Sequence, residues 1–156
     1  FTLSVDHGSY PNNEGYAYMV VPSADPLSIE KQVEEEGVVI LANCPDVQAV
    51  RHDGLNMAYA VFYKGGTLRI HDKIVVEMDA PGMLMVKYND AGEILTLGVS
   101  DPTRFMKKLH LSVNQRIVGT AQENIQTEWD GKQALTRISV DLPQNEYAGK
   151  SVIYNK

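Results

Sequence analysis

Residues 38–78 read VVILANCPDVQAVRHDGLNMAYAVFYKGGTLRIHDKIVVEM, and the fold is decided there. Short runs of β-branched and aromatic residues are cut by turn-forming pairs, so strands are expected at 38–43, 46–51, 55–63, 67–71 and 74–78. Asp53-Gly54 and Gly65-Gly66 supply the bends. Turn signals recurring about every eight to twelve residues are the spacing of an antiparallel β-sandwich or barrel. The fold class expected is therefore all-β, an antiparallel β-sandwich.

The same grammar runs towards the C-terminus. Strands are expected at 83–88 and 93–99, separated by Pro81-Gly82 and by the Asn89-Asp90-Ala91-Gly92 loop. Leu109, Leu111 and Val113 alternate with polar neighbours, and Ile117 and Val118 follow. Asp130-Gly131 reads as a two-residue hairpin between strands carrying Ile125 and Leu135, and 152–154 as a last edge strand. The methionines at 57, 78, 83, 85 and 106 read as core fillers.

The N-terminal side differs. Phe1, Leu3 and Val5 alternate with Thr2, Ser4 and Asp6, which predicts a strand with no lead-in, so the chain is expected to begin inside a longer protein. A polar loop over 7–15 leads to a second strand at 16–21. Asp25 can cap one short helix with Pro26 in its first position, Leu27, Ile29 and Val33 give that helix an apolar stripe, and Glu34-Glu35-Glu36-Gly37 ends it. The change in character places a boundary there, giving regions 1–36 and 37–156.

Composition narrows the function. A formal net charge of −6, with Lys and Arg few and dispersed, argues against nucleic acid as a partner and against this region being the main grip on an acidic polymer. Cys44 is the only cysteine, so no intrachain disulfide can form. The longest apolar run, 57–63, is far short of the about 20 residues of a membrane-spanning helix.

Reactive-looking letters do not assemble into a reaction centre. His7, His52, His71 and His110 lack HxH or HExxH spacing, and no metal or cofactor site is read. Asp6 and His7 would point to opposite faces of a strand, so they read as loop residues bonding the backbone. Arg51-His52-Asp53 and 69–73 read as solvated strand ends, and 100–104 as a Ser-Pro-type turn without a nucleophile elbow. The sugar-contact candidates are Trp129, Tyr10 and His7. Trp129 lies beside a hairpin tip, where an exposed indole face can stack on a sugar ring; the competing and favoured reading packs it inward.

Taken in order, Asp6-His7-Gly8, Tyr16-Ala17-Tyr18, Val21-Pro22, Ile40-Leu41-Ala42-Asn43, Val47-Gln48-Ala49-Val50, Ala60-Val61-Phe62-Tyr63 and Ser100-Asp101-Pro102 resemble the C-terminal part of the family 8 polysaccharide lyases. That family includes chondroitin AC, hyaluronate and xanthan lyases, and the ending over 140–149 is most similar to the chondroitin AC branch. The resemblance implies a secreted or periplasmic parent enzyme with an N-terminal helical toroid, a central β-sandwich and a smaller C-terminal β-sandwich. Residues 1–36 would close the central sandwich and 37–156 would form the C-terminal one, with those two other domains as partners and a glycosaminoglycan as a further one. Such enzymes cleave uronic-acid polymers by β-elimination, using a group that neutralises the uronate and a Tyr and a His as base and acid. Those residues lie mainly on the toroid, none maps onto a matched motif, and no catalytic residue is carried over. A scaffold is the leading expectation, and a carbohydrate-binding module is the alternative.

Overall fold

The computed structural model describes residues 4–12, 14–22, 25, 27–35, 37–118 and 122–156. They fall into two compact units, residues 1–35 and 36–156. Phe1 and Leu3 of the first alternation, Pro26 and the Val33 side chain lie outside the described residues.

In the first unit, 16–21 forms no strand, contrary to expectation. Alternation fixes which side chains share a face, but a strand also needs a ladder partner. No described segment pairs with 4–22, and Tyr16, Tyr18 and Val20 are exposed. The helix is α1 (Ile29–Glu35), shorter than the sequence suggested. Asp25 folds a turn ahead of it, accepting the Leu27 N–H on its carboxylate at 3.2 Å and the Ser28 N–H on its carbonyl at 3.0 Å.

The second unit is a two-layer sandwich. One sheet has six strands in the order β1 (Val38–Asn43), β2 (Val47–His52), β3 (Met57–Phe62), β6 (Gly82–Tyr88), β7 (Ile94–Ser100) and β11 (Val152–Asn155). The other has five, in the order β4 (Gly66–His71), β5 (Ile74–Met78), β8 (Lys108–Val113), β10 (Leu135–Asp141) and β9 (Ile125–Asp130). Every pairing is antiparallel.

Register explains the core. Ala49, Ala60, Leu84, Val99 and Val152 stand opposite one another across five strands, and all are buried. Leu68, Val76, Val113 and Thr136 make a matching row on the other sheet. Because side chains alternate, every residue one step along points away from the core. Of the methionines expected inside, only Met78 is fully buried; Met83 and Met85 fall on the outward parity of β6, and Met83 is exposed.

Asp130-Gly131 is not a two-residue hairpin: Asp130 pairs with Leu135, and 131–134 form the connection, with Ala134 at φ 52°. The Asp130 carboxylate explains the longer loop, because it accepts the N–H groups of Lys132 and Gln133 and so folds the turn itself.

One glycine is required by close approach. A Cβ on Gly65 would sit 2.6 Å from the Asp79 carbonyl oxygen, which is backbone and cannot swing away, whereas one on Gly66 would meet nothing within 4 Å. Gly65→Ala is therefore expected to cost about 1–3 kcal/mol by overpacking. Gly66→Ala should be close to neutral, and paired urea titrations of the two variants check the contrast.

Candidate carbohydrate-contact sites

Both ends of the sandwich, where loops usually carry function, are tied down by side chains bonded to backbone. At one end Gln115 donates to the carbonyls of Lys73 (3.0 Å) and Gly92 (2.6 Å) and accepts the Ile94 N–H (3.0 Å), joining three loops. Thr136, fully buried, donates to the Gln115 carbonyl and accepts the Ile117 N–H, which holds the chain after β8 in place. Arg51 bridges the two sheets nearby, its Nη1 donating to the Ile70 carbonyl at 3.1 Å while Nε and Nη2 hold Asp53. Hydrogen bonding from Arg51 keeps the Asp53 carboxyl below its ordinary value. Arg51 is thus a half-buried clamp, and the reading of a merely solvated strand end is corrected for it.

At the opposite end the buried acid is Asp101, only 3% exposed. Its Oδ1 accepts the N–H and hydroxyl of Thr103, and its Oδ2 accepts the N–H groups of Phe105 (2.9 Å) and Met106 (2.8 Å). Burial pushes this carboxyl up, but the Thr103 hydroxyl and the three N–H donors outweigh it, and the group lies below its ordinary value. The segment after β10 docks on the same loop. The Gln144 amide donates to the carbonyls of Met106 and Leu142, and Gly149, at φ 89°, lies where a Cβ would be 3.2 Å from Arg104 Cγ. Two stretches that look unrelated in sequence, 100–102 and 142–149, therefore form one structural unit.

The sugar-contact candidates do not assemble into one place. His7 and Tyr10 belong to the first unit and Trp129 to the second. Tyr10 is 96% exposed; the His7 ring lies 6.2 Å from Tyr16, whose ring stacks on Tyr18 at 6.4 Å. Asp6 accepts the Gly8 N–H at 2.8 Å, which uses the carboxylate to shape the loop. Trp129 pairs with buried Thr136, so it continues the inward row of the five-stranded sheet, yet it is 37% exposed because β9 is the edge strand.

A feature that the sequence reading missed lies on the outward face of that sheet. Glu77, Ser112, Arg137 and Glu128 form one cross-strand row, and His110, Ser139 and Gln126 form the next. They line a groove of about 640 Å³. The available signal was the small serine at an outward position on each of the two central strands, flanked by long polar side chains. Among the described residues no set of His, Cys, Asp or Glu could hold a metal ion, and no helix is long and apolar enough to cross a membrane.

The outer face of the six-stranded sheet has the opposite character. Ile40, Val50, Tyr59, Met85, Gly98 and Ile153 are in register across all six strands, and Ile40, Val50, Tyr59 and Ile153 are exposed.

Comparison with known proteins gives a consistent result. The model of the polysaccharide lyase family 8 C-terminal β-sandwich domain matches residues 39–118. A chondroitinase-AC of Pedobacter heparinus is 31% identical over 152 residues, which are 97% of this chain and 19% of that protein. A hyaluronate lyase of Enterococcus faecalis is 29% identical over 117 residues, 72% of this chain and 11% of its own length. A solved mutant of the chondroitin AC lyase of Streptomyces coelicolor A3 superposes with a TM-score of 0.70 at 21% identity, over 96% of this chain and 19% of that one. The chain thus spans at most about a fifth of these relatives. With a two-sheet antiparallel sandwich, a family model matching over half its length and relatives aligned along nearly all of it, this chain belongs to polysaccharide lyase family 8, as its C-terminal β-sandwich region.

Proposed function

We propose that this region is the non-catalytic scaffold of a secreted or periplasmic lyase that cleaves chondroitin- or hyaluronan-type polymers by β-elimination. The observation that carries the reading is the apolar outer row on the six-stranded sheet. A contiguous apolar face of this kind marks a surface that another element covers. In the parent enzyme that element would be the central β-sandwich, with the helical toroid beyond it. Residues 1–36 would close the central sandwich and carry the linker helix, and 37–156 would be the C-terminal domain. The side-chain bonds that tie described loops at both ends of the second unit suit a rigid support.

Tyr59→Glu tests the docking face. On the outward face of the isolated chain it should shift stability by no more than about 0.5 kcal/mol. In the parent enzyme it should lower both the melting temperature and the lyase activity. Equal loss in both contexts would show damage to the sandwich itself and count against docking there.

The alternative reading, a carbohydrate-binding module acting through Trp129, Tyr10 and His7, draws on the exposure of Tyr10 and on the half-open rim position of Trp129. Calorimetric titration of the chain with chondroitin and hyaluronan oligosaccharides separates the two. The scaffold reading expects no saturable heat. Binding of millimolar strength or tighter that vanishes in Trp129→Ala selects the module instead.

A further inference from the structure

We propose that the groove on the outward face of the five-stranded sheet binds an uncharged, hydroxyl-rich sugar chain. The proposal is independent of the scaffold reading, and it uses a different surface from Trp129, Tyr10 and His7.

The groove is built by strand parity. On β8 and β10, the inward positions Leu111, Val113, Ile138 and Val140 are buried in the core, which forces Ser112 and Ser139 outward. Serine is short, so the diagonal from Ser112 to Ser139 forms a low floor, with Arg137 and His110 beside it on the same strands. Glu77 on β5 and Glu128 and Gln126 on β9 are longer and rise at the sides. The groove is open to solvent, and its volume, about 640 Å³, is within the range of small-ligand sites.

Its chemistry selects the ligand. Among the described residues Glu77, Ser112, Gln126, Glu128 and Ser139 make no side-chain hydrogen bond, whereas the polar side chains at both sandwich ends are engaged by the backbone. These free groups include pure acceptors, the two carboxylates, and groups that both donate and accept, the two hydroxyls and the amide. Hydroxyls on a ligand match such a mixture, because each one donates to a carboxylate and accepts from an amide or hydroxyl.

Charge excludes one other class, and hydrogen-bond matching excludes a second. Arg137 is the one guanidinium lining the groove, and it is already held by the Asp130 carboxylate at 3.0 Å and the Gln133 amide oxygen at 2.7 Å. Glu77, Asp79 and Glu128 are left in excess, so a polyanion is repelled. The same carboxylates attract a cation, but a polycation brings donors only and would leave the Ser112, Ser139 and Gln126 donors without partners. Strands lie roughly 4.8 Å apart, so a chain laid across them meets a new polar group at each step. With Trp129 on the opposite face there is no aromatic platform, and affinity on the order of millimolar is expected.

The experiment is an amide chemical-shift titration of the 156-residue chain with cellotetraose and N-acetylglucosamine tetrasaccharide, run in parallel with unsulfated chondroitin tetrasaccharide and pentalysine. Saturable shifts at Ser112, Gln126 and Ser139 with at least one neutral sugar, and none there with the anion or the cation, are expected. Ser139→Tyr, which fills the floor, should weaken that binding by about ten-fold or more. Gln126→Ala, a smaller change at an exposed position, should weaken it by about three-fold, the size of one lost hydrogen bond. The proposal is overturned if neither neutral sugar gives saturable shifts in the groove, if chondroitin or pentalysine saturates the same residues, or if neutral binding survives both substitutions in folded protein.

Discussion

Phe62→Ala is expected to destabilise the chain by about 3–5 kcal/mol, the usual cost of removing a buried aromatic ring. Phe62 is 1% exposed at the end of β3, with Val47 opposite it on one side and Gly82 on the other. Gly82 has no side chain, and the space beside it is taken by Met78 and Leu109, whose methyl groups would lie within 3.1 Å of a Cβ placed there. The site is therefore closed on the glycine side by residues of the facing sheet, and the structure has little freedom to collapse into the vacancy. Such a loss is a large share of the roughly 5–15 kcal/mol by which domains are stable. A urea titration should show a lower midpoint with an unchanged slope, and Phe62→Leu should recover most of the difference.

Asp101→Asn is the second large effect, expected at about 2–4 kcal/mol. The carboxylate accepts four hydrogen bonds, two on each oxygen. An amide can offer only one oxygen, so its NH2 would face either the Thr103 pair or the N–H groups of Phe105 and Met106, leaving buried donors unsatisfied. The Gln144 segment depends on the same loop through Met106, so the loss spreads to the chain after β10.

The same group sets a pH dependence. Its folded-state value lies below the ordinary 3.8, so the unfolded chain binds the proton more readily. The stabilisation is then present above the unfolded value and is lost as pH falls through the folded one. Thermal melts of the wild type should drop steeply below about pH 4, whereas Asp101→Asn should start lower and fall less. The slope left in the variant belongs to Asp53, Glu93 and Asp130, whose values are also depressed.

How much of this was legible in the sequence depends on whether the controlling interaction is local. Val38–Asn43 and Ile74–Met78 have the expected bounds, because each run of β-branched residues ends at its own turn. The segment 16–21 is equally rich in strand-forming residues and is not a strand, since pairing is supplied by a partner and not by the run itself. Asp130-Gly131 misled because the dipeptide fits a tight hairpin, while the Asp130 side chain bonds two residues further on and lengthens the loop. Asp101 looked like a turn residue, and nothing adjacent in sequence reveals that it is buried with all its acceptors filled. Trp129 has an inward parity and a rim position, and only the strand order, with β9 at the edge, reconciles the two. The groove was missed for a related reason: alternation tells which residues share a face, but not that two serines on neighbouring strands make that face concave.

The most direct test of the scaffold account is the ultraviolet absorbance of unsaturated uronate when this chain alone is incubated with chondroitin or hyaluronan. The account predicts no rise above a protein-free control at any chain concentration. A rise that scales with the amount of folded chain and disappears when the chain is unfolded would contradict it, because the reaction centre would then lie within these residues.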